Sequence, residues 1–347
     1  MSWSRTNQLI LAAAERLGVR AEPVASVHTD FFVRLIGPDG RAVIISKTRS
    51  PYLTEVAQTL SNNKFIAREL LARHGLPVVT GIVLDEASDP SEDPQAEARA
   101  REFLAAHGRV VVKPNWGNRG IGINTDVREL YQLLAAFAFA RAHDRDEEVL
   151  LEPYVPGMNL RVAVIGGRYV AAAEIQRPAL CGDGQRTVAE LLAELNADAR
   201  RGSWDQPSLR PLDVIEDELV EELLAVRRVR LETVLEAGKR IELCFEEIEV
   251  IDRTEDLHPG WVEVAVEAAR LLGIDVAGVD LRGEADELFG APPSASSGAR
   301  LLEVNVLPAL HLHALPTVGV ARPVFEDFVA YCVQLPGAPE PCANVLV

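Results

Sequence analysis

A chain of 347 residues, 48% hydrophobic and 25% charged, is long enough to bury a large core and to divide into two or three subdomains. Its formal net charge of −17 would repel a phosphate backbone and argues against nucleic acid as a partner, although a few placed cations, backbone amides and a metal can still hold a nucleotide against that field. No apolar run approaches the roughly 20 residues of a membrane-spanning helix, and Met1 to Asn7 carry no secretory pattern, so the expectation is a cytoplasmic protein without a membrane partner.

The first predicted element is an amphipathic helix over residues 5–18, with Leu9, Leu11, Ala14 and Leu17 apolar and Gly18 at its end. Strands over 30–36 and 42–47 follow, joined by the turn Gly37-Pro-Asp-Gly40. A long helix over 54–74, closed by Gly75, carries Lys64, which by itself reads as an ordinary solvated lysine. Residues 85–100 are acidic and broken by proline, an expected linker leading into a helix that ends near His107-Gly108.

Val110 to Pro114 is a β-branched strand with Lys113 near its end, and it runs into Asn115-Trp-Gly-Asn-Arg-Gly-Ile-Gly-Ile123. Three glycines in six residues let a backbone aim its N–H groups inward at an anion, with the lysine as a point charge beside them. The loop has neither the Gly-Lys-Ser/Thr ending of a Walker loop nor the setting of a Rossmann fingerprint, and an ordinary Gly-rich hairpin has the same composition. Next come a helix over 127–143, a strand from Val149, and the proline-broken connector Glu152-Pro-Tyr-Val-Pro-Gly157, whose free backbone groups could serve a base edge.

Strands over 160–165 and 169–175 flank Gly166-Gly167. A helix over 187–199 opens with Thr187 and Glu190 in capping-box spacing. Residues 212–251 alternate helical and extended character, and 260–272 is a helix. The strand over 276–282 carries Asp280, and the strand over 301–308 presents Glu303 and Asn305 on one side before a proline. Paired as a hairpin, the two would gather three oxygen ligands of the kind that hold Mg²⁺ against a nucleotide; read singly, the second strand is also an ordinary buried strand with polar ends. A helix over 322–334 and a loosely ordered tail complete the chain. The four dispersed cysteines, Cys181, Cys244, Cys332 and Cys342, read as reduced and mostly buried thiols.

Taken in order, these segments resemble an ATP-grasp ligase, and most closely the ATP-grasp module of cyanophycin synthetases and glutathione-synthetase-type peptide ligases. The resemblance covers roughly residues 50–330. It rests on Lys64, on Lys113-Pro114 with Gly117-Asn-Arg-Gly-Ile-Gly122, on Glu152 with Pro156-Gly157, on Arg161 and on Gly182-Asp-Gly184 with Thr187. It rests equally on Asp198 to Gly202, Asp252-Arg-Thr254, Ala277-Gly-Val-Asp280 and Glu303-Val-Asn305.

The resemblance implies a mixed α/β fold of the α+β kind, with an N-terminal subdomain (1–105), a mobile lid (106–157), an antiparallel-sheet core with the metal site (158–335) and a tail (336–347). It implies ATP and Mg²⁺ or Mn²⁺. Lys64 and Lys113 would contact phosphates under a lid formed by Gly117, Asn118, Gly120 and Gly122. Glu152, Tyr154 and Val155 would hold the adenine, and Asn159 would stand at the ribose. Asp280, Glu303 and Asn305 would bind metal, while Arg161, with Lys113, would serve the transferring group. The implied reaction joins a carboxylate to an amine through an acyl phosphate, on small amino-acid or peptide substrates. Other readings are the tailoring of a peptide or protein, or a non-catalytic ATP-binding subunit; enzymes of this kind are often dimers or tetramers.

Several positions depart from the family. Asn159 replaces an acidic residue, Glu174 and Ile175 stand where a pair of arginines is usual, the segment Ile241 to Ile251 is short and acidic, and His311 and His313 follow Pro308-Ala309. The chain also lacks the two further modules of a cyanophycin synthetase, so the expectation is an enzyme adding one amino acid rather than a polymerase.

Overall fold

The computed structural model describes residues 3–24, 30–117, 120–202, 212–243, 246–294 and 296–341. Helix α1 (Arg5–Arg16) buries Leu9, Ile10, Ala13 and Ala14 on one face. It lies against an antiparallel sheet of β1 (Arg20–Pro23), β2 (Val33–Ile36) and β3 (Ala42–Ile45). The helix expected over 54–74 is two helices, α2 (Glu55–Asn62) and α3 (Lys64–Arg73). Asn63 between them is extended, and its side chain accepts the Ile66 N–H to cap α3. That break makes Lys64 the first residue of a new helix and directs it differently from the face of α2.

A second antiparallel sheet has the order β4-β7-β5-β6, from β4 (Ile82–Leu84), β5 (Val110–Pro114), β6 (Asn124–Val127) and β7 (Val149–Pro153). Helices α4 (Pro94–His107) and α5 (Leu130–Ala142) supply it with Leu104, Leu133 and Phe137, which pack on Leu84, Val110, Val112 and Leu151. Its first strand comes from residues before 105.

The largest sheet has the order β12-β9-β8-β13-β14 and is antiparallel throughout. Its strands are β8 (Met158–Ile165), β9 (Arg168–Gln176), β12 (Glu249–Asp252), β13 (Val276–Gly283) and β14 (Arg300–Asn305). Between β9 and β12 lies a smaller unit. Here the hairpin-like pair β10 (Ala179–Cys181) and β11 (Arg240–Glu242) packs with α6 (Val188–Asn196) and α7 (Asp217–Ala225) around Leu180, Leu191, Val220 and Ile241. The capping box of Thr187 and Glu190 is formed at α6. The remaining helices are α8 (Pro259–Leu271), α9 (Ala285–Phe289), α10 (His311–Ala314) and α11 (Val324–Val333).

Alternation along β8 and β13 divides the large sheet into two faces. Leu160, Val162 and Val164, with Ala277, Val279 and Leu281, pack toward α8 and its Trp261. Ala163, Ile165 and Val276 point the other way, into the cluster of α1 and α11 with Phe325, Phe328 and Tyr331. Further along that second face the residues turn polar: Asn159 and Arg161 on β8, Asp280 and Arg282 on β13. There the sheet is left open to the β4-β7-β5-β6 sheet, and the slot between the two is the site.

Two close approaches set the edge of that slot. Gly157, at φ +98°, lies so near β13 that an added Cβ would sit 2.0 Å from the Gly283 carbonyl oxygen, and a Cβ on Gly283 would meet that of Ala299 at 2.3 Å. Trp261 is fully buried and its Nε1 donates to the Glu287 carbonyl at 2.8 Å. Trp261→Ala is expected to cost about 3–5 kcal/mol of stability, read as a drop in the denaturant midpoint with the m-value retained.

Cys181 and Cys332 are free thiols, the first exposed and the second buried; Cys244 and Cys342 lie outside the described residues. Among the described residues no helix is long and apolar enough to cross a membrane.

Candidate active site

The β13–β14 hairpin sets Asp280 directly opposite Glu303 and Gly278 opposite Asn305. Asn305 donates through Nδ2 to the Gly278 carbonyl at 3.2 Å and to Asp280 Oδ2 at 3.1 Å, which turns its amide oxygen away from both. Two carboxylates and an amide oxygen make a hard donor set suited to Mg²⁺ or Mn²⁺. Among the described residues there is no group of three or more His, Cys, Asp or Glu side chains arranged for a metal; this trio has only two, the third ligand being the amide.

The electrostatics favour the same occupant. Burial would push the Glu303 carboxyl upward, but Lys64, Lys113 and Arg161 pull it down to about 2, so it stays ionised. Its neighbour Asp280 moves upward, chiefly through burial, with Arg161 opposing and Glu303 adding to the rise. Arg161, across from Asp280 on β8, grips both its oxygens at 2.7 Å. A divalent cation between the two carboxylates would relieve their mutual repulsion, which Arg161 offsets in this arrangement.

Lys64 and Lys113 close the site from the other side. Lys64 is only 8% exposed; its Nζ donates to the Asn115 carbonyl at 3.2 Å and to the Gly117 carbonyl. Burial first, then Lys113 and Arg68, lower its pKa to about 8, so the ammonium still prevails at neutral pH. Lys113 Nζ lies 2.8 Å from Glu152, whose other oxygen is held by Arg68 at 2.5 Å. All three side chains are buried. Burial works against the Glu152 charge, but Arg68 and Lys113 bring its pKa below the ordinary carboxylate value. The Glu152 side chain is therefore committed to two cations, and only the backbone at this position remains for a base.

The glycine segment wraps Pro114. Gly122 has φ +77°, and a Cβ there would stand 2.7 Å from Pro114 Cγ; Gly120 has the same φ. Asn118 lies outside the described residues. The root of the loop is tied down by Asn115, whose Oδ1 accepts the Phe65 N–H at 2.9 Å and whose Nδ2 donates to Glu148 at 2.6 Å. Trp116 adds its indole N–H to the same carboxylate at 3.0 Å.

At the far end of the pocket, Tyr154 and Val155 lie on the connector and Asn159 at the start of β8. Arg282 reaches all three. Its Nε donates to the Val155 carbonyl at 2.6 Å, Nη1 to Asn159 Oδ1 at 2.6 Å and Nη2 to Tyr154 Oη at 2.8 Å. The Arg109 guanidinium stacks on the Tyr154 ring, 3.4 Å from its centroid. The pocket is lined by Val111, Lys113, Tyr154, Arg161, Arg282 and Glu303 among others, so it draws on both sheets.

The structure thus brings Lys64, Lys113, Gly117, Glu152, Tyr154, Val155, Asn159, Arg161, Asp280, Glu303 and Asn305 around one slot. Reading by sequence passes over Arg68, Asn115 and Arg282. For Arg282 a signal exists, since it stands two residues from Asp280 and shares its face; Arg68 and Asn115 show none.

The departing positions are also placed. Glu174 is held by Arg253 at 2.8 and 3.0 Å and by Gln176 at 2.9 Å, a satisfied internal network. Arg177 lines the pocket and donates to the Glu246 carbonyl at 2.7 Å. His311 and His313 both have their pKa lowered to about 3, by burial first and then by cations that include Arg161, so both are neutral.

No family model matches the chain. It is 30% identical over 328 residues to a cyanophycin synthetase from a Nostoc species, covering 92% of this chain and 34% of that protein. It is 25% identical over 333 residues to the glutathione biosynthesis bifunctional protein GshAB of Clostridium perfringens, covering 93% and 40%. The chain thus spans between a third and two fifths of the length of these relatives. In structure it is similar to a bifunctional glutathione synthetase from Pasteurella multocida, with a TM-score of 0.58 at 22% identity over 96% of this chain and 44% of that one.

Proposed function

We propose, for a chain that carries the ATP-grasp fold and is related in sequence to cyanophycin synthetases and bifunctional glutathione-synthesis proteins, an ATP-dependent carboxylate–amine ligase activity on small amino-acid or peptide substrates. One observation carries the reading: Lys64, Lys113, Arg161, Asp280, Glu303 and Asn305, drawn from five separate stretches of sequence, converge on one slot with an ionised carboxylate at its centre.

In this reading the connector at Tyr154 and Val155 holds the base by its backbone groups, Asn159 meets the ribose, and Lys64 and Lys113 bind the phosphates beneath Gly117, Gly120 and Gly122. Asp280, Glu303 and the Asn305 amide oxygen hold Mg²⁺ or Mn²⁺, which supplies positive charge to the phosphate oxygens. A substrate carboxylate oxygen attacks the γ-phosphorus and ADP departs, leaving an acyl phosphate. An amine then attacks the acyl carbon, inorganic phosphate leaves, and the amine's proton passes to solvent to give the amide. Negative charge grows on non-bridging oxygens in both steps, so the fixed cation Arg161 lowers the barriers by being in place beforehand. No nucleophilic side chain is required.

The test is ADP and phosphate release with ATP and Mg²⁺ across pairwise pools of amino acids, N-acyl amino acids and dipeptides, with mass spectrometry of the products. A pair-dependent signal with a dehydrated adduct is the expected result. ADP release that no small amine or carboxylate alters, in a protein that binds ATP, would overturn the small-substrate reading.

A further inference from the structure

Resting on the nucleotide reading above, we propose that Arg282 is the positioning residue for the nucleoside half of the nucleotide. It acts through the connector and Asn159 rather than on the phosphates.

A single guanidinium holds three acceptors that are distant in sequence: the Val155 carbonyl, Asn159 Oδ1 and Tyr154 Oη, at 2.6, 2.6 and 2.8 Å. The β5–β7 ladder ends where the Tyr154 N–H donates to the Arg109 carbonyl at 3.1 Å, and beyond it Pro156 has no N–H to give. From there the course of the connector is held by the planar fork of Arg282, whose donors are rigidly disposed and lose little freedom on binding. The Tyr154 ring is fixed as well, with Arg109 over one part of it and Arg282 5.0 Å from its centroid.

The bond to Asn159 has a chemical consequence. An asparagine presents an acceptor at one end of its amide and donors at the other. With Oδ1 taken by Arg282, the group left for a ligand is the Nδ2 donor, which suits the oxygens of a ribose.

The strand register places this clamp relative to the metal residues. In the β8–β13 ladder Arg161 faces Asp280 and Asn159 faces Arg282. The cation therefore changes strand between the two ends of the slot, from Arg161 on β8 to Arg282 on β13. Two residues of strand separate them, about 6.5–7 Å, so β13 carries a phosphate-end acid and a nucleoside-end cation on one face.

The experiment is calorimetric titration of ATP and of inorganic tripolyphosphate, each with Mg²⁺, into the native protein, Arg282→Met and Arg282→Lys. Loss of the charge-assisted bonds is expected to weaken ATP binding in Arg282→Met by about tenfold or more while tripolyphosphate changes by less than about twofold. Arg282→Lys, which keeps one donor and the charge, should recover part of the loss. Should Arg282→Met not fold, Tyr154→Phe removes one of the three anchors and is expected to shift ATP in the same direction by a smaller factor, again sparing tripolyphosphate. Equal weakening of both ligands, or unaltered ATP binding, would overturn the assignment. Native protein that binds neither ligand would overturn the nucleotide reading itself, a different result from native binding that the variants reproduce.

Discussion

Glu303→Gln is expected to lower ligase turnover by a factor on the order of 10²–10³, with the folded protein still melting cooperatively. The side chain is nearly isosteric, so the loss is one of charge. In the native site Lys64, Lys113 and Arg161 together hold this carboxyl near 2 against its burial, and its charge attracts all three, although Lys113 and Arg161 pair directly with Glu152 and Asp280. An amide removes that attraction and one of the two carboxylates proposed to hold the metal. Turnover would be followed as ADP release with the substrate pair that drives it, and metal affinity by titrating Mn²⁺ in the presence of nucleotide. Native turnover in the variant would show that the metal and phosphoryl chemistry lie elsewhere.

The second large effect falls on stability. Glu152 lies between Arg68 and Lys113, and all three side chains are about 5% exposed. Glu152→Ala strands two buried cations, a change that typically costs about 3–5 kcal/mol. Replacing Arg68 by methionine in the same variant should return part of it, because one uncompensated charge is removed. The direction with pH follows from the depressed carboxyl: the folded pKa lies below the unfolded one, so the stabilisation is fully present above the ordinary carboxylate range and fades as pH falls through the folded value. Urea midpoints at neutral pH and at pH 4 for native and variant proteins would measure both statements. Matching midpoints at neutral pH would mean that water already solvates this triad.

How far such residues can be foreseen depends on the range over which they act. The strands that carry Asp280 and Glu303 are legible because a period of two, an apolar frame and a terminal proline are all local, and the register then pairs Asp280 with Glu303 as the expected hairpin requires. The α6 cap is legible for the same reason. The break at Asn63 is not, since Asn-Asn-Lys suits a helix interior about as well as a helix start, and the choice is made by the 115 loop, whose Asn115 receives the Phe65 N–H. Arg68, Asn115 and Arg282 escape because their partners lie 84, 50 and 123–128 residues away. Charge pairing across such spans leaves no periodic trace. The strands β10 and β11, three residues each, are hidden likewise, being defined by one another across the intervening α6 and α7.

Gly157, on the connector that leads into β8, lies main chain against main chain on Gly283 and Glu284 at the end of β13. A joint of that kind has no rotamers to readjust, so the approach of the connector to β13 does not depend on the side chains that line the slot. Pocket residues can then be exchanged by evolution, or by an engineer seeking a new substrate, without altering that approach. The same joint is intolerant at Gly157 and Gly283. Even a single methyl group at Gly157 would act as a wedge, so diversified libraries of this protein should retain glycine there however far the pocket itself has drifted.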